Sequence, residues 1–500
     1  MKYFIGYDLG SSSVKASLLD LKTGQSVAST FSPLVEMKIH APRAGFAEQD
    51  PESWWEELIG ATRLLKNKNH FEKNEIAAIG ISYQMHGLVC IDNHYEPLRP
   101  AIIWCDSRAV NTGKSAFDQL GHTYCLEHFL NSPGNFTASK LKWVKDNEPE
   151  IYRKIFRILL PGDFLALKMT GEAVTTLSGL SEGIFWDYKE NNIAQSLMNF
   201  YGIDQGLLAP IVPTFGDQGK LRSTAAELLG IAAGTPVCYR AGDQPNNAFS
   251  LQVLDPGEIA ATAGTSGVVY GISDQVSFDE RSRVNSFIHV NNTQDNTRLG
   301  ILMCLNGTGA FNSWLRRELF DNASYQSINK GAAEIPMGSD GIFCYPFGNG
   351  AERILENRNP GAQILGLDFN RHNKFHLARA AQEGIAFALM YGTEIMLEMG
   401  LSLKRVRAGM ANMFLSPLFS QTFANLLHCP VELYNTDGAL GAARAAGYGY
   451  GYYSHIRECY AGMEIVSRID PVVHDANQIH EIYEQWKKGL SDFLLKDLNV

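Results

Sequence analysis

The sequence predicts an α/β protein made of two related halves around one cleft. Three stretches predict it. Near the start, Asp8-Leu9-Gly10-Ser11-Ser12-Ser13 joins two apolar segments of strand character. Past the middle, Gly264-Thr265-Ser266-Gly267 joins two more, and Asp243 stands between these loops, directly after another strand. An acid between two glycine-and-hydroxyl loops is what phosphoryl transfer to a hydroxyl requires. Glycine lets backbone N–H groups face phosphate oxygens, while a carboxylate orients the acceptor.

At 500 residues the chain is long enough for two or three domains with sizeable cores. Its 45% hydrophobic and 19% charged residues are ordinary for a globular protein. A net charge of -10 argues against general binding to nucleic acid or an anionic membrane, yet leaves room for a local basic pocket for ATP. The eight cysteines are scattered and form no C-x-x-C pair, so reduced thiols and a cytoplasmic location are expected. The opening MKYFIGYDLG reaches Asp8 too soon for a signal peptide. No apolar run approaches the roughly 18 residues that span a bilayer.

Residues 2–7 and 14–19 read as strands, and a turn at Lys22-Thr23-Gly24 leads to a third over 26–31. Loops this short make antiparallel hairpins rather than βαβ crossovers, and no G-x-G-x-x-G stands here. Gly10 frees amides to face an anion, Ser11, Ser12 and Ser13 add hydroxyls, and Lys15 adds charge. A plain hairpin turn is the alternative. Asp50-Pro51 opens a helix, with Asp as N-cap and Trp54, Trp55, Leu58 and Leu65 on one apolar stripe.

Residues 76–82 form a nearly all-apolar strand that delivers Gln84-Met85-His86-Gly87 to its end, where α/β proteins put ligands. A strand over 101–104 ends in Cys105-Asp106-Ser107-Arg108. That Asp and Arg either brace one another as a solvated ion pair or present an acceptor and several donors to a polyol. Residues 131–144 read as a turn and then a helix, and another helix is entered through Pro161-Gly162-Asp163. Residues 175–183 and 210–219 read as loops, the first near the cleft, and 223–229 as a short helix capped by Ser223.

Asp243 sits in a Gly-Asp turn after a strand over 237–239, and a helix over 246–254 stops at Asp255-Pro256-Gly257. Strands over 258–263 and 268–272 then flank the second loop and repeat the opening pattern. Duplication explains this, with two unrelated hairpins as the alternative. Asn306-Gly307-Thr308-Gly309 leads into a helix containing Trp314, and 377–399 is a long helix in which Gly384 and Gly392 permit close packing. A strand over 406–410 runs into Ala411-Asn412, Ser416-Pro417 caps a helix, and Asp437-Gly438 opens a small-residue helix placed against the Ala408–Asn412 loop. The last helix covers 480–495. No linker or low-complexity tract occurs, so tight hinges join the halves.

Nine motifs now stand in order: GYDLGSSSVK (6–15), EQDPESWW (48–55), QMHGLV (84–89), RPAIIWCDSR (99–108), AGD (241–243), PGEIAATAGTSGVV (256–269), GNGAER (348–353), SPLFSQTFANLLHCPV (416–431) and GALGAA (438–443). In that order and spacing the chain resembles the FGGY carbohydrate kinases from end to end. The resemblance implies two actin-like (ribonuclease H-like) domains flanking a central catalytic cleft. Residues 1–245 would bind sugar and 246–500 ATP, with the last helix able to pack back on the first domain.

By the same resemblance Asp243 is the catalytic base, Asp8 the acid associated with Mg2+, and Met85 and His86 contact the sugar. Trp104, Asp106, Arg108 and Gln244 complete the candidate sugar contacts. For ATP it implies Gly10, Ser11, Ser12 and Lys15, then Gly264, Thr265, Ser266 and Gly267, then Gly307 and Gly309, with Gly409, Met410 and Asn412 in the adenosine loop. Two departures stand out. Gln244-Pro245 follows the acid where the family's ketopentose kinases commonly carry Asn, which bears on the sugar. The adenosine loop, usually a run of glycines, reads Ala408-Gly409-Met410-Ala411-Asn412, which bears on the adenine contacts.

The implied activity is ATP- and Mg2+-dependent phosphorylation of a ketopentose, D-xylulose foremost. Ribulose, sedoheptulose or a glycerol-type polyol are the alternatives. Sugar and ATP are the expected partners, with no nucleic acid and no membrane, and a homodimer is implied by the resemblance alone. A nucleotide switch of the actin or chaperone type has no need for a Met85-His86 polyol loop beside Asp243. An idle sugar sensor would have lost Asp243 or a phosphate loop, and neither is lost. An enzyme is expected.

Overall fold

The short loops at the start of the chain do force antiparallel pairing. β1 (Tyr3–Leu9), β2 (Val14–Asp20) and β3 (Ser26–Ser32) pair in sequence, each antiparallel to the one before. Asp50 caps α1 (Pro51–Lys68) by accepting the Glu52 amide at 3.0 Å, and Trp54, Leu58, Ala61 and Leu65 are buried along it. The chain returns as β4 (Ile76–Tyr83), buried at every residue and parallel to β1. Here α2 (Leu177–Glu182) replaces an expected loop. Thr176 Oγ1 accepts the Gly179 amide at 3.1 Å, and burial of residues 178–182 holds a helix that small polar residues would not form alone.

β5 (Val237–Gly242) lies parallel to β4 and runs directly into α3 (Asp243–Ser250). Asp243 is therefore the first residue of a helix rather than part of a turn, and this helix begins three residues before the expected 246 and ends at Ser250. An acid in the first turn suits the positive end of the helix, and Pro245 falls where no amide partner is needed. The helix Ser223–Leu229 forms as expected, but Ser223 is its first residue and Arg222 holds the cap position.

The computed structural model describes residues 1–497. Its first sheet has the order β3-β2-β1-β4-β5. The second is built from β6 (Glu258–Ala263), β7 (Gly267–Ser273), β8 (Asn285–Ile288), β9 (Leu299–Leu305), β10 (Arg405–Gly409), β11 (Val431–Tyr434) and β12 (Ile465–Ile469). Its order is β8-β9-β7-β6-β10-β11-β12. Without the outermost β8 and β12, it repeats the first sheet strand for strand, with two antiparallel pairs followed by two parallel ones. The duplication anticipated from two loops is thus a duplication of whole sheets.

Helices cover the second sheet. α4 (Thr308–Leu319) follows the Asn306-Gly307 turn, and α5 (Lys374–Glu398) crosses the core with Gly384 against the Cys344 carbonyl and Gly392 against Met303. α6 (Pro417–Leu427) is capped by Ser416. α7 (Gly438–Gly449) is capped by Asp437, whose side chain accepts the Leu440 amide at 2.9 Å. The last helix, α8 (Val473–Asp497), starts seven residues before the expected 480, because its first turns are polar and hide the pattern. Its Tyr483 and Trp486 are buried in the second core, and Trp486 Nε1 donates to the Cys344 carbonyl at 2.8 Å.

Two helices tie the halves together. α3 follows the first sheet and buries Phe249 with Tyr239 and Ala241 there, while Ala248 shares a buried cluster with Ala260, Val268 and Tyr270 of the second. α7 follows the second sheet, yet Ala442, Ala443 and Ala446 are buried with Phe4 and Ala78 of the first. The sheet strands make room with glycine: Gly6 faces the Ala439 carbonyl and Gly80 the Ala442 carbonyl. α7 therefore packs on the first sheet rather than on the Ala408–Asn412 loop, because a helix of Ala and Gly can approach glycines in strands more closely than any other surface. α3 and α7 meet where Gly441 lies over Ser250. No helix among the described residues is long and apolar enough to cross a membrane.

Candidate active site

A cavity of about 570 Å3 has walls from both halves. On its floor stand Asp8 at the end of β1 and Asp243 at the start of α3. The pairing of β1 sets Asp8 opposite Lys15 on β2 and Ser82 on β4, and Ser82 Oγ donates to Asp8 Oδ1 at 2.7 Å. The carboxylate also rests against Gly438, the first residue of α7. Burial pushes the Asp8 carboxyl up, Lys15 and Ser82 oppose that, and the Asp437 charge adds to it. Asp243 is pushed up to about 7, first by burial and then by the Asp8 charge. It is poised to take or hold a proton near neutral pH.

The loop after β4 carries Met85 and His86, both on the cavity wall. His86 has φ 62, a left-handed conformation rare for a side chain of this size. Two buried groups hold it there. Its amide donates to Glu182 Oε1 at 3.1 Å, and its carbonyl accepts from Lys140 Nζ at 2.8 Å. His86 Nδ1 lies 2.9 Å from the Glu182 carbonyl oxygen, so Nδ1 carries the proton and Nε2 is left as an acceptor. Burial, helped by the Lys140 charge, holds this imidazole at about 3 and therefore neutral. Glu182 is raised well above the carboxylate range by burial, and its other oxygen packs against Gly242, just before Asp243.

Of Trp104 and the turn that follows it, only Trp104 joins the wall. Asp106 and Arg108 are turned inward, so the ion-pair alternative prevails over polyol contact. Arg108 Nη2 reaches Asp106 Oδ2 at 2.7 Å and Glu48 Oε1 at 2.8 Å, with the guanidinium 3.8 Å from the Phe46 ring centre. The pair is fully buried, not solvated, and it braces the turn: Asn135 on the cavity wall donates to the Asp106 carbonyl. Gln244 lies on the wall, and its side-chain oxygen, like that of Gln84, is buried without a protein partner. Such acceptors are what a polyol would satisfy.

The glycine-and-hydroxyl loops stand on the same cavity. Gly10, Ser11, Ser12, Ser13 and Lys15 line it from one half and Ser266 from the other. The Gly10 amide donates to the Ser13 carbonyl at 3.0 Å, which curls that loop. In the second loop, the amides of Gly309 and Ala310 donate to the carbonyls of Gly264 and Thr265 at 2.8 and 3.1 Å. Gly309 is there because a side chain would strike the Gly264 carbonyl, while Gly307 is buried beneath the Pro346 carbonyl. Thr265 is exposed and Gly267 buried against Thr308. Asn412, at φ 54, approaches Gly264, with Gly409 beside Thr436 and Met410 40% exposed.

Several wall residues escaped sequence reasoning: Asn135, Asn285, Asn306, Asn357, Cys304 and Arg353. Cys304 and Asn306 lie two positions apart and Arg353 and Asn357 four apart, while Asn135 and Asn285 come from distant stretches. Only GNGAER carried a signal, and its arginine attracted no role by itself.

Comparison with known proteins gives the family. Residues 3–250 match the FGGY family of carbohydrate kinases, N-terminal domain, and residues 259–450 its C-terminal domain. The xylulose kinase of Bacillus subtilis is 30% identical over 468 residues, covering 92% of this chain and 90% of that protein. The fold is that of a ligand-bound xylulose kinase from Lactobacillus acidophilus, at TM-score 0.89 and 22% identity, with 99% of each chain covered. A gluconate kinase from the same organism superposes at TM-score 0.87 and 22% identity over 97% of each chain. The chain thus belongs to the FGGY family of carbohydrate kinases and is a sugar kinase of the family's ATP-using kind.

Proposed function

We propose that this kinase phosphorylates a ketopentose, D-xylulose to D-xylulose 5-phosphate, with residues 1–245 holding the sugar and 246–500 the nucleotide. The observation that carries it is Asp243, raised to about 7, in one cavity with neutral His86 and the two glycine-and-hydroxyl loops. Asp243 orients the primary hydroxyl toward the γ-phosphoryl group and accepts its proton late in the transfer. The transition state is loose, so positioning and charge neutralisation do most of the work. Nε2 of His86 accepts from a sugar hydroxyl, and the Gln84 and Gln244 side chains complete the polyol contacts. Gly10, Ser11, Ser12 and Lys15, together with Gly264–Gly267, cradle the phosphates.

Asp8 suits Mg2+. Its carboxyl is buried on the cavity floor, its charge adds to the rise of Asp243, and a divalent cation there would relieve that repulsion. Mg2+ needs only one or two protein carboxylates beside phosphate oxygens and water. When bound, it neutralises charge on the β- and γ-phosphates.

The test is a coupled ADP-release assay with Mg-ATP across D-xylulose, L- and D-ribulose, sedoheptulose, L-fuculose, glycerol and gluconate. Turnover concentrated on D-xylulose supports the proposal, and a different preferred acceptor moves the sugar assignment. No sugar-dependent ADP release would sink it.

The raised pKa has a direct consequence. Asp243 works as a base only when ionised, so kcat/KM should be level above pH 7 and fall about tenfold per unit below it. A profile flat down to pH 5 would remove Asp243 from the role.

A further inference from the structure

We propose that Arg353 reads the end of the acceptor away from the transferred phosphate, donating to an sp2 oxygen there. That oxygen is the carbonyl of a ketose or the carboxylate of a sugar acid. The inference rests on the kinase reading of this cleft.

Arg353 begins a single helical turn, Arg353–Leu355, in which Ile354 and Leu355 are buried in the second core. Left-handed Glu356 and Asn357 fold the chain back. The Asn357 amide then donates to the Glu352 carbonyl at 2.9 Å, and the Glu352 amide to the Arg358 carbonyl at 2.8 Å. Fixed on both sides, this turn aims the arginine into the cavity. Strained backbone held this firmly is a common mark of a functional position.

The guanidinium lies 5.6 Å from the centre of the Phe136 ring and makes one long contact, Nη1 to the Ser282 carbonyl at 3.4 Å. Among the described residues no carboxylate forms an ion pair with it. Its neighbour Glu352 does not serve, because its oxygens accept the Asn306 amide at 3.0 and 3.1 Å and burial pushes it up to about 8. The surrounding wall offers Asn135, Asn285, Asn306 and Asn357, all neutral. A half-buried cation is thus held toward a cavity with its planar fork open. Such a fork matches planar oxygen acceptors better than it does alcohols.

Its place is the sugar end. Neither Ser282 nor Phe136, its two neighbours, belongs to a glycine-and-hydroxyl loop. The Phe136 ring links it to His86, lying 4.8 Å from the imidazole and 5.6 Å from the guanidinium, and Cys304 lines the same cavity. A sugar with its primary hydroxyl at Asp243 therefore extends past His86 and Cys304 toward Arg353.

The test compares kcat/KM on two pairs, D-xylulose against xylitol and D-gluconate against sorbitol, for wild type, Arg353→Met and Arg353→Lys. The members of each pair differ at one carbon, a ketone against a secondary alcohol in the first and a carboxylate against a primary alcohol in the second. Wild type should prefer the oxidised member of one pair. Arg353→Met should lose about 100-fold or more on that member, chiefly in KM, and about 5-fold or less on the alditol. Arg353→Lys, which keeps charge but not the fork, should fall between them, and thermal melts report folding for both.

Preference within the xylulose pair assigns a ketose carbonyl, and within the gluconate pair a carboxylate. Wild type that discriminates in neither pair, or a Met variant that keeps its discrimination, overturns the inference. Turnover of gluconate instead of D-xylulose would end the ketopentose proposal but leave Arg353 standing if Arg353→Met loses gluconate. With no turnover at all, calorimetric binding of the same four compounds to the three proteins is read by the same criteria.

Discussion

Asp243→Asn should lower kcat by about 10²–10⁴-fold with the fold intact, and Asp243→Ala by a similar factor while still binding ketose. The amide keeps the shape of the carboxyl but accepts no proton. The side chain stands at the first position of α3 and its burial sets it near 7, so the substitution should also stabilise the protein. The sign follows from linkage. A carboxyl raised in the folded state contributes stability that is fully present below its unfolded value of about 4 and lost as pH rises toward 7. The gain from Asn should therefore be larger at pH 8 than at pH 5, which paired thermal melts would read. A loss of activity accompanied by a gain of stability marks a residue kept for chemistry. Near-wild-type ADP release from Asp243→Ala would remove the base from the mechanism.

The second large effect is structural. Gly80→Val should cost about 3 kcal/mol, seen as a lowered urea midpoint, and should leave little activity in what folds. A Cβ at Gly80 strikes the Ala442 carbonyl, which is backbone of α7 and cannot rotate away. α7 also carries Gly438 against the Asp8 carboxylate, so displacing the helix disturbs the cleft floor. Gly171→Ala is the control. Gly171 has φ 81, and a Cβ added there would meet nothing within 4 Å, so it should lose only about 1 kcal/mol through backbone strain. Equal losses at the two sites would show that close approach of α7 is not what Gly80 provides.

The parts of the fold legible in the sequence were those set by local rules. Asp50 and Ser416 declared their caps, the loops after β1 and β6 declared hairpins, and the repeat of strand, loop and strand declared two halves. What stayed hidden depended on partners far away in the chain. α2 is held by burial rather than propensity, and α7 packs on strands more than 350 residues earlier because Gly6 and Gly80 admit it. At the site, Asp8, Met85, His86 and Asp243 announced themselves through their neighbours in sequence. Asp106 and Arg108 looked equally exposed, and only Glu48, Phe46 and Ala47 closing over them reveal a buried brace. Glu182 lay in a stretch read as a loop near the cleft and Arg353 closed the GNGAER motif, yet neither drew a role, because only the fold sets Glu182 against His86 and Arg353 on the cavity wall.

The packing of α3 and α7 decides what can move. α3 begins at Asp243 and is buried against both sheets, α7 begins beside the Asp8 carboxylate and packs on the first sheet, and the two touch at Gly441 and Ser250. They form the crossing at which the halves meet, like the rivet of a pair of scissors, with Asp8 and Asp243 beside it. Trp104 and His86 line the cavity from one half and Arg353 and Ser266 from the other. Turning one half against the other about this crossing would move those walls more than it moves the two floor carboxylates.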